Sequence, residues 1–245
     1  MFDVPTAPRK FQREKIEQVR MRPELKERDP LNRLLARQSR LRLPAEMVRD
    51  NALQVSGLLV PTVGGPSVKP YQPDGYWDYL NFPKRTYVAD PGRNQYRRGV
   101  YTHWQRLFLH PMLKAFDAPS REECAAERPV SNTPLAALAL LNDPTFVEAA
   151  RGFAELALPQ GGTDQRLNWI FRRALNRPPR AEEREQLSRL LLADLKDFRA
   201  HPVRAEKLVR TGLKPVDAKM DFPELAAWTT VCRAVLNLHE TIVRF

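Results

Sequence analysis

The chain has 245 residues and a mass of 28.3 kDa, and its hydrophobic content of 42% excludes an intrinsically disordered protein. Lysine and arginine total 40 against 29 aspartate and glutamate, a net charge of +11 that suits an anionic partner. However, the basic residues form no long block, which disfavours nucleic-acid binding, and no apolar run is long enough for us to expect a membrane span.

The N-terminal part predicts a basic arm over residues 1–28, followed by one helical domain over residues 29–245. Asp29 is a suitable N-cap, and the leucines after it share one helical face: Leu31, Leu34 and Leu35. A second helix is predicted to begin after Pro44 and to end near Gly57, because its apolar residues recur every three or four positions.

Residues 61–98 form a proline-rich, aromatic insertion, called here the aromatic insertion. One interpretation is an ordered loop whose aromatic rings hold it against the helices, since a loop of this length needs its own packing. The other is a stacking surface for a sugar ring, a proline-rich peptide or a partner protein. The candidate binding residues are Tyr71, Tyr76, Trp77, Tyr79, Arg97 and Arg98.

Several local signals follow the aromatic insertion. The sequence predicts a short extended piece near Val100, and then a helix through Trp104 and Leu107. The next predicted helix starts, each with a capping residue and two with a proline directly after it, are Ser120 with Glu123, Thr133 with Pro134, Asp143 with Pro144, and Asp221. Amphipathic patterns add helices near residues 164–175 and 181–200, and the linker 211–220 is expected to be exposed.

The residues that carry chemistry are sparse. The histidines lack the spacing of a helical metal site, so we predict no metal. The absence of a Cys-x-x-Cys-His motif predicts no c-type haem attachment site, and we expect no cofactor in this chain. Cys124 and Cys232 fit buried, unpaired thiols better than a disulfide.

Acidic residues near apolar helix faces leave a catalytic carboxylate pair conceivable. The candidates are Asp117, Glu122 and Asp143, with Glu148 and Glu240 in the wider set. Helix capping or pairing with arginine explains such acids equally well, and the expected partners of Asp117 and Glu122 are Arg97, Arg98, Arg121 and Arg128.

Two motifs carry a resemblance to a known family. They are FDAP at residues 116–119 and NTPLAALALLNDP at residues 132–144. Together with residues 32–73 and 227–245, they make residues 25–245 resemble the planctomycete-specific domain of unknown function found C-terminal in proteins that carry a planctomycete cytochrome c domain. The resemblance implies partner domains that bear haem, but no established activity.

Members of that family are typically longer and exported, whereas the start MFDVPTAPRKFQ lacks the apolar region of a signal peptide. We therefore expect a fragment of a longer protein or a stand-alone remnant, and leave its location unassigned. We predict a mainly α fold that serves as an interaction or structural module and docks to haem-bearing or other partner domains. The alternative is a hydrolase-like enzyme that cleaves carbohydrate polymers through a carboxylate pair.

Overall fold

The computed structural model describes residues 23–35, 41–78, 83–105, 108–120 and 122–244. The prediction of a mainly α fold is confirmed, and the strands found in these ranges form one short antiparallel pair. The chain divides into a unit of residues 1–42 with 243–245, and a larger unit of residues 43–242.

In the smaller unit, the described part contains helix α1 (Pro23–Arg28) and strands β1 (Leu41–Arg42) and β2 (Val243–Arg244). Leu41 pairs with Arg244, and Arg42 pairs with Val243. The predicted helix after Asp29 is wrong for residues 29–35, which form turns in which Leu34 is 80% exposed. Asp29 does accept hydrogen bonds from two following backbone amides, yet no apolar face is buried to support a helix.

The larger unit contains these α-helices: α2 (Ala45–Val55), α3 (Pro111–Ala115), α4 (Pro134–Asn142), α5 (Pro144–Ala157), α6 (Thr163–Leu175), α7 (Ala181–Ala200), α8 (Pro202–Val209), α9 (Phe222–Leu236) and α10 (His239–Ile242). Short 3-10 helices occur at Gly92–Tyr96, Gly99–Tyr101 and Leu158–Gln160. The predicted starts of α4, α5 and α9 are confirmed, because Thr133, Asp143 and Asp221 each accept a hydrogen bond from a backbone amide of the first helical turn.

Two apolar clusters form the core of this unit, and α5 contributes to both. Phe146 and Ala149 of α5 pack in a cluster with α2, α3 and α4, whereas Ala150 and Phe153 pack in one with α6 to α9. Helix α9 is buried on most sides, as its apolar sequence predicts. Its Cys232 is a buried free thiol, which confirms the interpretation of that cysteine.

Other local predictions are wrong. A 3-10 turn occupies Gly99–Tyr101 in place of an extended piece. The predicted helix is absent at Trp104, since residues 102–105 and 108–110 contain no helix, and Leu107 lies outside the described residues. Residues 122–130 are also non-helical, and Cys124 is exposed. This segment, EECAAERPV, offers no apolar stripe for a helix to bury, so its capping signal near Ser120 is insufficient.

Candidate functional site

The predicted catalytic acids have structural contacts. Asp117 follows α3 with a left-handed φ of 60°, and its carboxylate accepts hydrogen bonds from the amide of Ser131 at 2.9 Å and from its hydroxyl at 2.6 Å. Asp143 accepts a hydrogen bond from the amide of Thr145 at 2.9 Å, and burial raises the pKa of its carboxyl. Glu122 lies on an exposed segment. Whether any of these acids is catalytic stays a prediction.

The arginines proposed as partners of these acids contact other groups. Arg97 donates to the carbonyl of Pro66 at 2.7 Å, and its guanidinium lies 4.2 Å from the ring centre of Tyr101. Arg98 lies 3.7 Å from Asp50, and Arg128 lies 2.8 Å from Glu46. None of these three contacts is with Asp117 or Glu122, and Arg121 is outside the described residues.

The described aromatic residues pack the aromatic insertion against the rest of the unit. Trp77 is 6% exposed, and its ring meets that of Tyr87 edge-on at 5.0 Å between centroids. Tyr76 donates its hydroxyl to the carbonyl of Leu109 at 3.0 Å. These contacts support the interpretation of an ordered loop, while ligand stacking stays a prediction. Tyr79 lies outside the described residues.

A buried carboxylate joins the aromatic insertion to the helices. The Glu148 side chain, 1% exposed on α5, accepts hydrogen bonds from the hydroxyls of Tyr71 at 3.0 Å and Tyr96 at 2.8 Å. It also accepts from the amide of Lys214 at 2.6 Å and from the Arg151 guanidinium at 3.3 Å. We call these residues the Glu148 cluster: Tyr71, Tyr96, Glu148, Arg151 and Lys214.

Burial and the charge of Glu148 keep the two tyrosine hydroxyls of the Glu148 cluster protonated. Burial, followed by the negative charge of Glu148, raises the pKa of the Tyr71 and Tyr96 phenols well above their usual range. Arg151 also donates to Glu155 at 3.0 Å and to the carbonyl of Lys214 at 2.8 Å, and the Lys214 ammonium pairs with Glu155. The buried negative charge is thus surrounded by donors, as a buried charge requires.

The linker before α9 closes over this carboxylate. Gly212 has a left-handed φ of 96°, and a Cβ atom there would lie 2.2 Å from the Glu148 carboxyl carbon. Only glycine permits so close an approach in this conformation. Part of the linker is therefore half-buried rather than exposed as predicted. Because the carboxylate is covered, the cluster is suited to holding segments together and not to receiving a substrate.

A second polar contact anchors the aromatic insertion to α2. Arg49 is fully buried and donates to the backbone carbonyls of Arg97 and Gln95. The Gln95 amide group in turn donates to the carbonyl of Lys69 at 3.0 Å and accepts from the amide of Tyr71 at 3.2 Å. Burial lowers the pKa of Arg49, but the surrounding carbonyls satisfy both of its terminal nitrogens.

His110 is the buried histidine of this region. Its Nε2 atom lies 2.6 Å from the carbonyl of Tyr71, which requires that nitrogen to donate. Burial, as the largest cause, lowers the pKa of His110 to about 4, so the ring is neutral at pH 7. Among the described residues, no group of histidine, cysteine and acidic side chains could hold a metal ion.

Helix α4 exposes an uncharged, apolar face. Residues 129–142 contain no charged side chain. Ala136 and Leu140 are each 4% exposed, whereas Leu135 and Leu138 on the other side of the helix are 60% and 52% exposed. Helices that are apolar on all sides are normally buried. We call Val130, Leu135 and Leu138 the α4 surface, and such a patch is typical of an interaction site.

The sequence alone did not distinguish these two features. Glu148 was one acid among several near apolar faces, and nothing nearby in the sequence indicates its tyrosine and lysine partners. The apolar run of α4 predicts burial on every side, and only the exposure of each leucine reveals the outer face. In the part of the chain that the structure describes, no helix is long and apolar enough to cross a membrane.

Comparison with known proteins gives a family but no activity. The model of the PSD1 family, described as a protein of unknown function (DUF1553), matches residues 14–191. The matched range includes Glu148 and all of α4, and it confirms that the chain carries a domain of unknown function. The planctomycete origin and the association with cytochrome c domains stay predictions. No curated protein and no solved structure matches the chain.

Proposed function

Because the chain belongs to the PSD1 family of proteins of unknown function, we propose a role for it as a protein-interaction module that docks to partner domains through the α4 surface. The observation that carries this proposal is the exposure of Leu135 and Leu138 on an uncharged helix. Because these leucines are 60% and 52% exposed, burying the exposed part of both contributes roughly 2–3 kcal/mol before the costs of association.

The contacts around α4 make it a firm platform. Thr133 caps its first turn, and Arg233 of α9 donates to the carbonyl of Leu141 at 3.0 Å near its end. The inward face is packed by Ala136 and Leu140. A helix held at both ends and along one side presents its outer leucines in fixed positions, which lowers the entropy cost of binding.

The chemistry of the surface defines the partner. Its centre lacks charge, so the partner must offer an apolar patch, while the net charge of +11 favours a partner that is acidic around that patch. The resemblance to domains that accompany cytochrome c domains makes a haem-bearing domain the first candidate partner.

The test uses the haem-bearing domain whose gene lies nearest to the gene for this chain. That domain is produced separately and mixed with the full chain. Calorimetry and co-purification should show a complex, and Leu138→Glu should weaken it at least about tenfold, since a charge would then be buried in the interface. The matched control is Leu192→Glu, because Leu192 is 67% exposed on α7, away from the α4 surface.

Two results would contradict this proposal. One is the absence of a complex between the full chain and the haem-bearing domain. The other is equal weakening by Leu138→Glu and Leu192→Glu, which would show that the leucines of α4 have no special part in binding. Circular dichroism of both variants verifies that each remains folded.

The alternative, a hydrolase-like enzyme acting on carbohydrate polymers, has less support. The carboxylates of Asp117 and Asp143 are engaged with Ser131 and Thr145, respectively. An assay for sugar release from soluble polysaccharides tests it directly. Turnover that Asp117→Asn abolishes, without loss of folded structure, would favour the enzyme over the interaction module.

A further inference from the structure

We propose that a pocket within the aromatic insertion binds a small zwitterion carrying an ammonium group and a carboxylate, of the betaine class. The pocket holds about 200 Å³ and is lined by two short segments, residues 72–78 and 84–87. It is separate from the α4 surface, so this proposal does not depend on the proposed docking function.

Charged side chains of both signs line this pocket. Asp74 and Asp78 supply carboxylates from the first segment, and Lys84 and Arg85 supply cations from the second. Within the described residues, none of these four side chains forms an ion pair or hydrogen bond, and all four residues are exposed. Unpaired charges around one concave surface are available to the charged groups of a ligand.

Aromatic rings complete the lining. Tyr76, Trp77 and Tyr87 all border the pocket. Aromatic rings next to carboxylates favour an ammonium group, since both the ring faces and the acids attract positive charge. A ligand with an additional carboxylate could also pair with Lys84 or Arg85, the latter through a bidentate contact. A neutral sugar would leave the charges of both signs without partners.

The aromatic walls are held in place by contacts within the aromatic insertion and with the segment that follows it. Tyr76 donates its hydroxyl to the carbonyl of Leu109 at 3.0 Å and packs edge-on against Phe108 at 6.0 Å between centroids. Tyr87 donates to the carbonyl of Pro70, and its ring contacts Trp77. Walls fixed before binding reduce the entropy lost when a ligand enters.

The volume limits the ligand to a small molecule. Pockets for drug-sized ligands span roughly 300–1,000 Å³, and this pocket holds about 200 Å³. A betaine has few rotatable bonds and places its two charges a short distance apart. The class therefore matches both the size of the pocket and its two kinds of charge.

The test is calorimetric titration of the full chain with glycine betaine at low ionic strength. We expect saturable binding, and we expect choline and acetate, which each carry only one of the two charges, to bind at least about tenfold more weakly. Asp78→Asn and Arg85→Gln should each reduce betaine affinity about tenfold or more.

Matched controls remove exposed charges elsewhere. Asp164→Asn in α6 and Arg199→Gln in α7 should leave betaine affinity unchanged. Absence of heat up to about 10 mM betaine, equal affinity for choline, or equal effects of the control variants would overturn the proposal. Leu138→Glu should leave betaine binding intact, so failure here and failure of the docking proposal are distinguishable.

Discussion

Glu148 illustrates how one buried carboxylate organises segments that are distant in the sequence. Its oxygens accept hydrogen bonds from the hydroxyls of Tyr71 and Tyr96 and from the amide of Lys214. An unpaired buried carboxylate would be strongly unfavourable, so each donor both satisfies the charge and fixes its own segment. The aromatic insertion and the linker before α9 are thereby fastened to the same helix.

Gly212→Ala should lower the free energy of unfolding by about 2–4 kcal/mol, measured by urea denaturation. The new methyl group would both occupy a left-handed conformation and overlap the Glu148 carboxylate. Gly92→Ala is the control, because Gly92 has a φ of 62° with open space around its Cβ position. A loss no larger at Gly212 than at Gly92 would show that the close approach to Glu148 is unimportant.

His110 should make stability depend on pH. Burial lowers its folded-state pKa from 6.5 to about 4, so the unfolded chain binds the proton more readily between these values. The free energy of unfolding should therefore fall as pH decreases from about 6.5 to about 4, by about 3 kcal/mol at most from this group.

His110→Gln isolates that contribution, since glutamine retains a donor for the Tyr71 carbonyl but does not titrate. Urea denaturation at pH 7 and pH 4 should show a smaller loss of stability in this variant. The buried Asp143, whose pKa is raised, contributes with the opposite sign in both proteins and largely cancels in the comparison. The exposed His201, changed to glutamine, is the control, and an equal effect there would refute the assignment.

At the scale of elements, helix α4 has one apolar side that is buried in the core and another that is exposed to solvent. Its two sides are both apolar, but the inner side joins the core cluster of α2, α3 and α5, while the outer side faces solvent. Natural surfaces seldom leave adjacent leucines uncovered on a charge-free helix. The free energy of unfolding should therefore depend on the inner side of α4 only, and the outer side remains available for binding a partner.

Leu140→Ala should lower the free energy of unfolding by about 2–4 kcal/mol, because it leaves a cavity at a residue that is 4% exposed. Leu138→Ala, at a residue that is 52% exposed, should change it by no more than about 0.5 kcal/mol. Thermal and urea denaturation of the two variants would check this difference. Similar losses would mean that the outer leucine is covered in solution.

At the scale of the molecule, α5 couples the two apolar clusters of the larger unit. Phe146 and Phe153 are both fully buried, yet each belongs to a different cluster. A helix shared in this way cannot lose its contacts on one side without weakening the other. We therefore expect the larger unit to unfold as one cooperative body.

Phe146→Leu and Phe153→Leu should each shift a single unfolding transition, with losses of about 1–3 kcal/mol. Tryptophan fluorescence and far-ultraviolet circular dichroism should give the same midpoint for each variant. Two separated transitions, one sensitive to each substitution, would show that the clusters fold independently and that α5 does not couple them.

The sequence determined the helical class and the starts of α4, α5 and α9, because a capping side chain and its amide lie within a few residues of each other. The same local signal failed near Ser120 and Asp29, where no apolar face is buried to sustain a helix. Only the tertiary structure decided which acid is buried, which leucines of α4 are exposed, and which charges of the aromatic insertion share a pocket. Those outcomes depend on contacts between segments far apart in the chain, which no local pattern encodes.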